Sequence, residues 1–209
     1  MPEIIEHLRN YKVDISESGR ISQTMQPVWG FPNTTTDELK VQYKEILECI
    51  IKHTGSPKGQ TYYDIGCYYG YFCFSLSSLG AKTIGIDMDE GKIHACKNLA
   101  SHHGFPNDNP IFVHGDAKEC AFAVDHVILL NTFHHVLMQE EERGWDMFDR
   151  LVEEADNVFL MMRPSYPKYG FRLCDSQDEI GDAILAKSSA KEYEILGAWL
   201  GRTLYVFTS

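Results

Sequence analysis

The sequence predicts an α/β protein with a doubly wound, mostly parallel sheet of seven strands, helices on both faces and a C-terminal antiparallel hairpin. From residue 61 onward, short β-rich segments alternate with helical segments, which is typical of parallel strands joined by crossover helices. Glycine or a polar residue follows each of the first four strand segments. The last two β-rich segments are separated by a short turn that contains Gly201 and Arg202, which indicates a hairpin.

The chain divides into an N-terminal arm, residues 1–34, and a domain formed by residues 35–209. The arm is rich in glycine and proline and contains the aromatic residues Tyr11, Trp29 and Phe31. We expect the arm to act as a lid that forms an acceptor pocket together with residues 164–172. The alternative is that the arm packs on the outer helices and only stabilises the domain.

The domain begins with a helix and the first strand. Thr35 and Glu38 fit a capping box with Thr35 as N-cap, and apolar residues follow the helical period up to residue 51. A β-rich strand at 61–65 ends before Gly66. The next elements are a helix at 72–79 stopped by Gly80, a strand at 82–86, a helix at 89–102 and a strand at 110–114.

The second half of the domain repeats the alternation. Trp145, Phe148 and Leu151 lie on one face of a predicted helix that packs on the sheet. In order, we expect a strand at 125–130, that helix at 140–155, a strand at 158–162, a helix at 178–188 and hairpin strands at 193–199 and 203–208.

Composition narrows the class of protein and of partner. The 209 residues carry a formal net charge of −11 with dispersed basic residues, which disfavours a nucleic-acid partner. The apolar runs are too short for a membrane span, and with no signal-peptide pattern we expect a cytoplasmic protein. Six cysteines without a CxxC pair indicate reduced, buried thiols. Nothing in the sequence predicts the oligomeric state.

The residues at the strand ends suit an adenosine ligand. Gly66 and Gly70 allow a tight turn and close approach of the backbone to a ligand after strand one. Asp87 ends strand two, 21 residues beyond Gly66, where an acid can accept both ribose hydroxyls. Asp116 follows strand three and can accept from the adenine amine, and Asn131 follows strand four.

The glycine pattern selects among adenosine ligands. A dinucleotide fingerprint would need glycines where Tyr68 and Tyr71 stand, which disfavours a nicotinamide-dependent oxidoreductase. A phosphate-binding loop also fails, because no G-K-[ST] follows. The pattern therefore favours a ligand with adenosine but no pyrophosphate.

Four segments, YYDIGCYYGYF, TIGIDMDEGKI, VHGDA and VILLNTFHHV, resemble in order and spacing the motifs of the class I S-adenosylmethionine-dependent methyltransferase superfamily. The resemblance implies S-adenosylmethionine as cofactor and methyl transfer as the activity. The family often has glycine where Tyr68 stands. This departure leaves open a non-catalytic protein that binds S-adenosylmethionine as a sensor or scaffold subunit.

The resemblance also implies roles for individual residues. The loop with Gly66 and Gly70 is implied to bind the cofactor, with Asp64 orienting the loop or binding the amino group and Cys67 contacting the methionine part. Asp87 is implied to bind the ribose. Adenine is implied to contact Met88, Asp116 and Ala117, and the methyl end is implied to contact Asn131.

His134 and His135 are the candidate catalytic residues, since a histidine near neutral pKa could take a proton from an acceptor hydroxyl. They are predicted on a loop, where at most one faces the site, and the alternative is a histidine that only hydrogen-bonds backbone. Asp156 precedes strand five at the opposite edge of the sheet, so we predict no metal.

One absent motif and one resemblance narrow the chemical class of the methyl acceptor. Strand four is not followed by Asn-Pro-Pro-aromatic, which disfavours methylation of adenine or amide nitrogen. The segments GYFCFSL, FHH and RTLY resemble the methyltransferase module of bacterial surface-polysaccharide chain-terminating enzymes. This resemblance implies transfer to an oxygen of a small molecule, a glycan, a sugar or a sugar phosphate.

Overall fold

The structure is a computed structural model that describes residues 26–31, 35–119 and 124–209. Its helices are α1 (Asp37–Thr54), α2 (Tyr71–Ser78), α3 (Glu90–His102), α4 (Phe133–Gln139), α5 (Glu141–Glu154) and α6 (Ile180–Leu185). Its strands are β1 (Thr61–Ile65), β2 (Lys82–Asp87), β3 (Ile111–His114), β4 (His126–Leu130), β5 (Asn157–Met161), β6 (Ser165–Tyr166), β7 (Phe171–Arg172), β8 (Glu192–Trp199) and β9 (Arg202–Thr208).

The main sheet has seven strands in the order β3-β2-β1-β4-β5-β9-β8. Strands β1 to β5 are parallel, β9 is antiparallel to β5, and β8 pairs antiparallel with β9. The predicted fold class is therefore confirmed, including the C-terminal hairpin. The strand order reverses between β1 and β4, which is the point where open α/β sheets bind ligands.

The central strands are buried on both faces, which explains their nearly continuous apolar sequence. Val127 and Leu129 of β4 pack in one cluster with Phe148 of α5. Ile128 lies on the other face, in a cluster with Ile46 of α1. Because side chains alternate along β4, this strand packs against helices on both faces of the sheet, which holds its carboxyl end in place beside the site.

Two local expectations differ from the structure. The N-cap of α1 is Thr36 instead of Thr35, because the Thr36 hydroxyl accepts from the Leu39 N–H at 3.3 Å. The segment after β4 forms α4 instead of the predicted loop, and the segment 164–172 contains a short β6–β7 hairpin for which no strands were predicted. Both elements are too short to show a period in the sequence.

Only residues 26–31 of the arm are described; Tyr11 lies outside the described residues. Val28 is buried, and the Trp29 ring lies 4.9 Å from the His103 ring and 5.3 Å from the Phe105 ring. This part of the arm therefore packs on the end of α3. In the described part of the chain, no helix is long and apolar enough to cross a membrane.

Candidate functional site

A cavity of about 370 Å³ lies at the carboxyl edge of the parallel strands, beside the switch point between β1 and β4. Its volume falls within the range of small-molecule sites. The predicted residues that line it are Gly66, Asp87, Met88, Asp116, Ala117, Asn131 and His135. Other lining residues are Gln26, Tyr43, Ile65, Tyr68, Ile86, Lys92, Gly115, Leu130, Thr132, Val136, Gln139, Tyr166 and Arg202.

The loop after β1 turns through three residues with positive φ, namely Gly66, Tyr68 and Gly70. Gly66 has φ 73°, and a Cβ at this position would collide with the Thr132 side chain. Tyr68 has φ 55°, a conformation that glycine adopts at little cost, which accounts for the glycine that the superfamily often has there. Tyr68 lines the cavity, and its backbone N–H donates to Asp87 Oδ2 at 3.0 Å.

Two carboxylates face the cavity from the ends of β2 and β3. Asp87 accepts from the backbone N–H groups of Tyr68 and Asp89, at 3.0 and 2.9 Å, which fixes its orientation. Asp116 accepts from the N–H of Lys118 at 2.9 Å. Met88 follows Asp87 in the chain, lines the cavity and is 58% exposed.

Asp64, Cys67 and Gly70 do not line the cavity. The Asp64 carboxylate is buried and accepts from the Cys73 thiol at 3.6 Å, and desolvation raises the pKa of Asp64 to about 7. Cys67 is buried, and a hydrogen bond with Cys96 together with burial raises the pKa of its thiol, which disfavours a thiolate nucleophile.

Gly70 has a packing role that the structure makes evident. Its φ is 73°, and a Cβ there would lie 2.8 Å from the Phe112 ring. The glycine thus lets α2 begin close to β3, whatever its relation to a ligand.

The two histidines of the first turn of α4 have different surroundings. His135 lines the cavity, and burial lowers its pKa. His134 is 0% exposed and does not line the cavity; its ring stacks on Tyr166 with centroids 4.5 Å apart. Burial, reinforced by the charges of His135, Arg202 and Arg163, lowers the pKa of His134 to about 3. Both rings are therefore neutral at neutral pH.

Two arginines meet at the end of the cavity opposite Asp87. Arg202, at the start of β9, lines the cavity and donates to Asn131 Oδ1. The Arg163 guanidinium lies 5.2 Å from the centroid of the Tyr166 ring. A second cavity of about 340 Å³ is lined by both arginines and adjoins the first at Arg202. Burial and then the charge of Arg163 lower the pKa of Arg202, so the two cations lie close enough to repel.

Tyr43, Lys92, Thr132 and Arg202 line the cavity but were not selected from the sequence, whereas Tyr166 lies in the segment 164–172 that was expected at the acceptor pocket. For Arg202, the predicted C-terminal hairpin was a signal that could have placed this residue at the site. Because β9 runs antiparallel to β5, its first residue lies at the carboxyl edge of the parallel strands. Tyr43 comes from the middle of α1, and no pattern in that helix distinguishes it from core residues. Within the described ranges, no group of three or more His, Cys, Asp or Glu side chains is arranged to hold a metal ion.

Comparison with known proteins places this geometry in a family. Residues 63–158 match the family described as Methyltransferase domain. The Escherichia coli O-antigen chain terminator bifunctional methyltransferase/kinase WbdD is 30% identical over 156 residues, which cover 69% of this chain and 20% of that protein. The chain thus matches about a fifth of the length of this curated relative.

Solved structures show the same fold. Monomeric WbdD superposes with a TM-score of 0.70 at 22% identity, covering 91% of this chain and 47% of that chain. Magnesium protoporphyrin IX methyltransferase (ChlM) from Synechocystis PCC 6803 with bound S-adenosylmethionine gives a TM-score of 0.65 at 19% identity, covering 99% and 97%. The domain match, the four ordered motifs and the strand order together show that the chain belongs to the class I S-adenosylmethionine-dependent methyltransferase superfamily.

Proposed function

We propose that this chain transfers a methyl group from S-adenosylmethionine to an oxygen atom of a small molecule or sugar that carries a negative charge, such as a sugar phosphate. The observation that carries this proposal is the polarity of the cavity. Asp87 and Asp116 lie at one end, where adenosine donors need acceptors, and Arg202 lies at the other end beside Arg163.

The residues at the acidic end fit the cofactor. Asp87 is already oriented by two backbone N–H groups and keeps lone pairs for ribose hydroxyls. The exposed Met88 side chain and Ala117 offer apolar surface to an adenine ring, and Asp116 offers an acceptor to its amine. Bound S-adenosylmethionine would supply an electrophilic methyl group on a sulfonium centre.

The loop after β1 constrains how the methionine part is held. The N–H groups of Gly66 and Cys67 both donate to the Ile86 carbonyl, at 2.8 and 3.0 Å. Contacts from this loop would therefore come from carbonyl oxygens, which suit the ammonium group of the cofactor better than its carboxylate.

The arginine pair supports an anionic acceptor. Elsewhere in the described part of the chain, Arg143 pairs with Glu140 and Arg172 with Asp175. Neither Arg163 nor Arg202 forms an ion pair with a carboxylate of the described residues, although the chain has an excess of acids. Guanidinium groups bind phosphate and carboxylate with paired hydrogen bonds, and an anion between them would relieve their repulsion.

The two histidines differ in how they could assist transfer to an oxygen acceptor. An ionised phosphate or carboxylate oxygen is a nucleophile without proton removal, so positioning is the main contribution that the chain must make. For a hydroxyl acceptor, His135 is the better base of the pair because it lines the cavity and is neutral. His134 would act indirectly, by stacking on Tyr166 and holding that ring at the cavity.

Two further features support parts of the proposal. The Escherichia coli relative is an O-antigen chain terminator, which favours a sugar or glycan acceptor. Gln26 from the arm and Tyr166 from the β6–β7 hairpin both line the cavity, which is compatible with an acceptor pocket between these segments.

The test is transfer of isotope-labelled methyl from S-adenosylmethionine to matched acceptors: a hexose phosphate, the same hexose without phosphate, and a hexuronic acid. We expect labelled O-methyl product from a charged acceptor and much less from the neutral hexose. Product on nitrogen or carbon, or equal transfer to the neutral sugar, would contradict the proposal. Binding of the cofactor without turnover on any acceptor would favour the sensor or scaffold function that Tyr68 left open.

A further inference from the structure

The side chain of Lys118 carries a buried charge behind the part of the cavity wall that Asp116 and Ala117 form. It is only 3% exposed, although lysine is rarely buried without compensation. Its ammonium lies 2.8 Å from Glu140 Oε1 and 3.4 Å from Asp116 Oδ2. The hydrogen bond to Glu140 raises the pKa of Lys118, so the ammonium remains charged.

Lys118 holds the Asp116 carboxylate from two directions. Its backbone N–H donates to Oδ1 at 2.9 Å, while its ammonium faces Oδ2. The two contacts fix the plane of the carboxylate that lines the cavity. A carboxylate fixed in this way accepts from a donor in one direction and repels a carbonyl oxygen in the same position.

The same ammonium joins two walls of the cavity. Asp116 and Ala117 follow β3, whereas Glu140 is the N-cap of α5 and directly follows α4, which carries His135 and Gln139. The Lys118 carbonyl also accepts from Arg150 of α5 at 2.7 Å. The ion pairs therefore fix the β3 wall against the junction between α4 and α5.

We infer that Lys118 is a positioning residue that orients Asp116 and thereby sets the preference of the site for an adenine base. The inference rests on the proposed binding of S-adenosylmethionine with adenine at Asp116. Lys118 itself contacts no ligand in this account, because it does not line the cavity.

The test compares binding of S-adenosylhomocysteine with binding of S-inosylhomocysteine, in which a carbonyl oxygen replaces the adenine amine. Calorimetry on the whole chain gives both dissociation constants. The wild-type protein should prefer the adenine ligand, and Lys118→Met should reduce this preference roughly tenfold or more, as expected for one charge-assisted hydrogen bond. Lys118→Arg should restore much of it.

Lys118→Gln keeps a polar head group and tests the same point if the methionine variant does not fold. Lys187→Met is the matched control, because Lys187 forms an exposed ion pair with Glu141 of α5 at 3.4 Å and does not line the cavity. A folded Lys118 variant that weakens both ligands equally would show a merely structural role and overturn the inference. Equal binding of both ligands by the wild type would also overturn it, and binding of neither would refute the proposed function as well.

Discussion

Replacing Asp87 with asparagine is the sharpest mutational test of the cofactor site. The carboxylate accepts two backbone hydrogen bonds, from Tyr68 at 3.0 Å and Asp89 at 2.9 Å, and the proposal assigns its remaining lone pairs to the ribose hydroxyls. Asparagine has one acceptor oxygen and no charge. It must therefore give up one of the two loop contacts, and it offers the ribose hydroxyls fewer and weaker acceptor sites.

The structure sets the expected size of both effects. Loss of one hydrogen bond to a partly buried backbone N–H should cost about 0.5–1.5 kcal/mol of unfolding free energy. Loss of one ribose hydrogen bond to a charged acceptor should cost about 1.5–3 kcal/mol of binding free energy, which is roughly 10- to 150-fold in Kd. Folding stability should thus fall slightly and cofactor affinity strongly.

Calorimetric titration with S-adenosylhomocysteine measures the affinity, and denaturant unfolding measures the stability. Asp37→Asn is the matched control, because Asp37 is an exposed residue in the first turn of α1. It should leave affinity unchanged. A folded Asp87→Asn protein that binds as tightly as the wild type would refute the assignment of the ribose to this carboxylate.

Three further substitutions test other parts of the account. Arg202→Met should raise KM for a charged acceptor roughly tenfold or more in steady-state assays, with Arg172→Met as control. An equal effect on a neutral acceptor, or a loss confined to cofactor affinity, would contradict this role. Tyr68→Gly should be more stable to denaturant than Tyr68→Ala by about 1 kcal/mol, because φ is 55°, and equal stability would show no backbone strain. His134→Phe should make stability less sensitive to acid. The folded pKa of about 3 lies below the ordinary 6.5, so between these values the unfolded state binds one more proton and wild-type stability falls with falling pH. This contribution is about 1.4 kcal/mol per pH unit below 6.5, and parallel curves of unfolding free energy against pH for variant and wild type would contradict it.

Much of the fold could be predicted from the sequence because its strands are short apolar segments between clear stop signals. Gly66 and Gly80 mark where a strand and a helix end, and both have positive φ. Helix α4 and the β6–β7 hairpin could not be predicted, since each is fixed by packing against other elements instead of by its own periodicity. The Tyr166 ring, for example, is held in place by stacking on His134.

The site residues that could be predicted are those at the carboxyl end of a single parallel strand. Asp87, Asp116 and Asn131 each follow a parallel strand and line the same cavity. Contacts between distant segments were not predictable in this way. Lys118 reaches Glu140 across 22 positions, and Arg202 reaches Asn131 across 71. Such pairs depend on how the segment after β3 lies against α5 and how β9 lies beside β5, which no local pattern encodes.

A crystal structure of the complex with S-adenosylhomocysteine tests the central claim most directly. The account predicts the ligand in the cavity beside the β1–β4 switch point. The ribose hydroxyls should lie on Asp87, the adenine amine within hydrogen-bonding distance of Asp116, and the sulfur toward Asn131, with Arg202 free to meet the acceptor. Ligand density outside this cavity, or an adenine ring bound at the Arg163 and Arg202 end, would contradict the account.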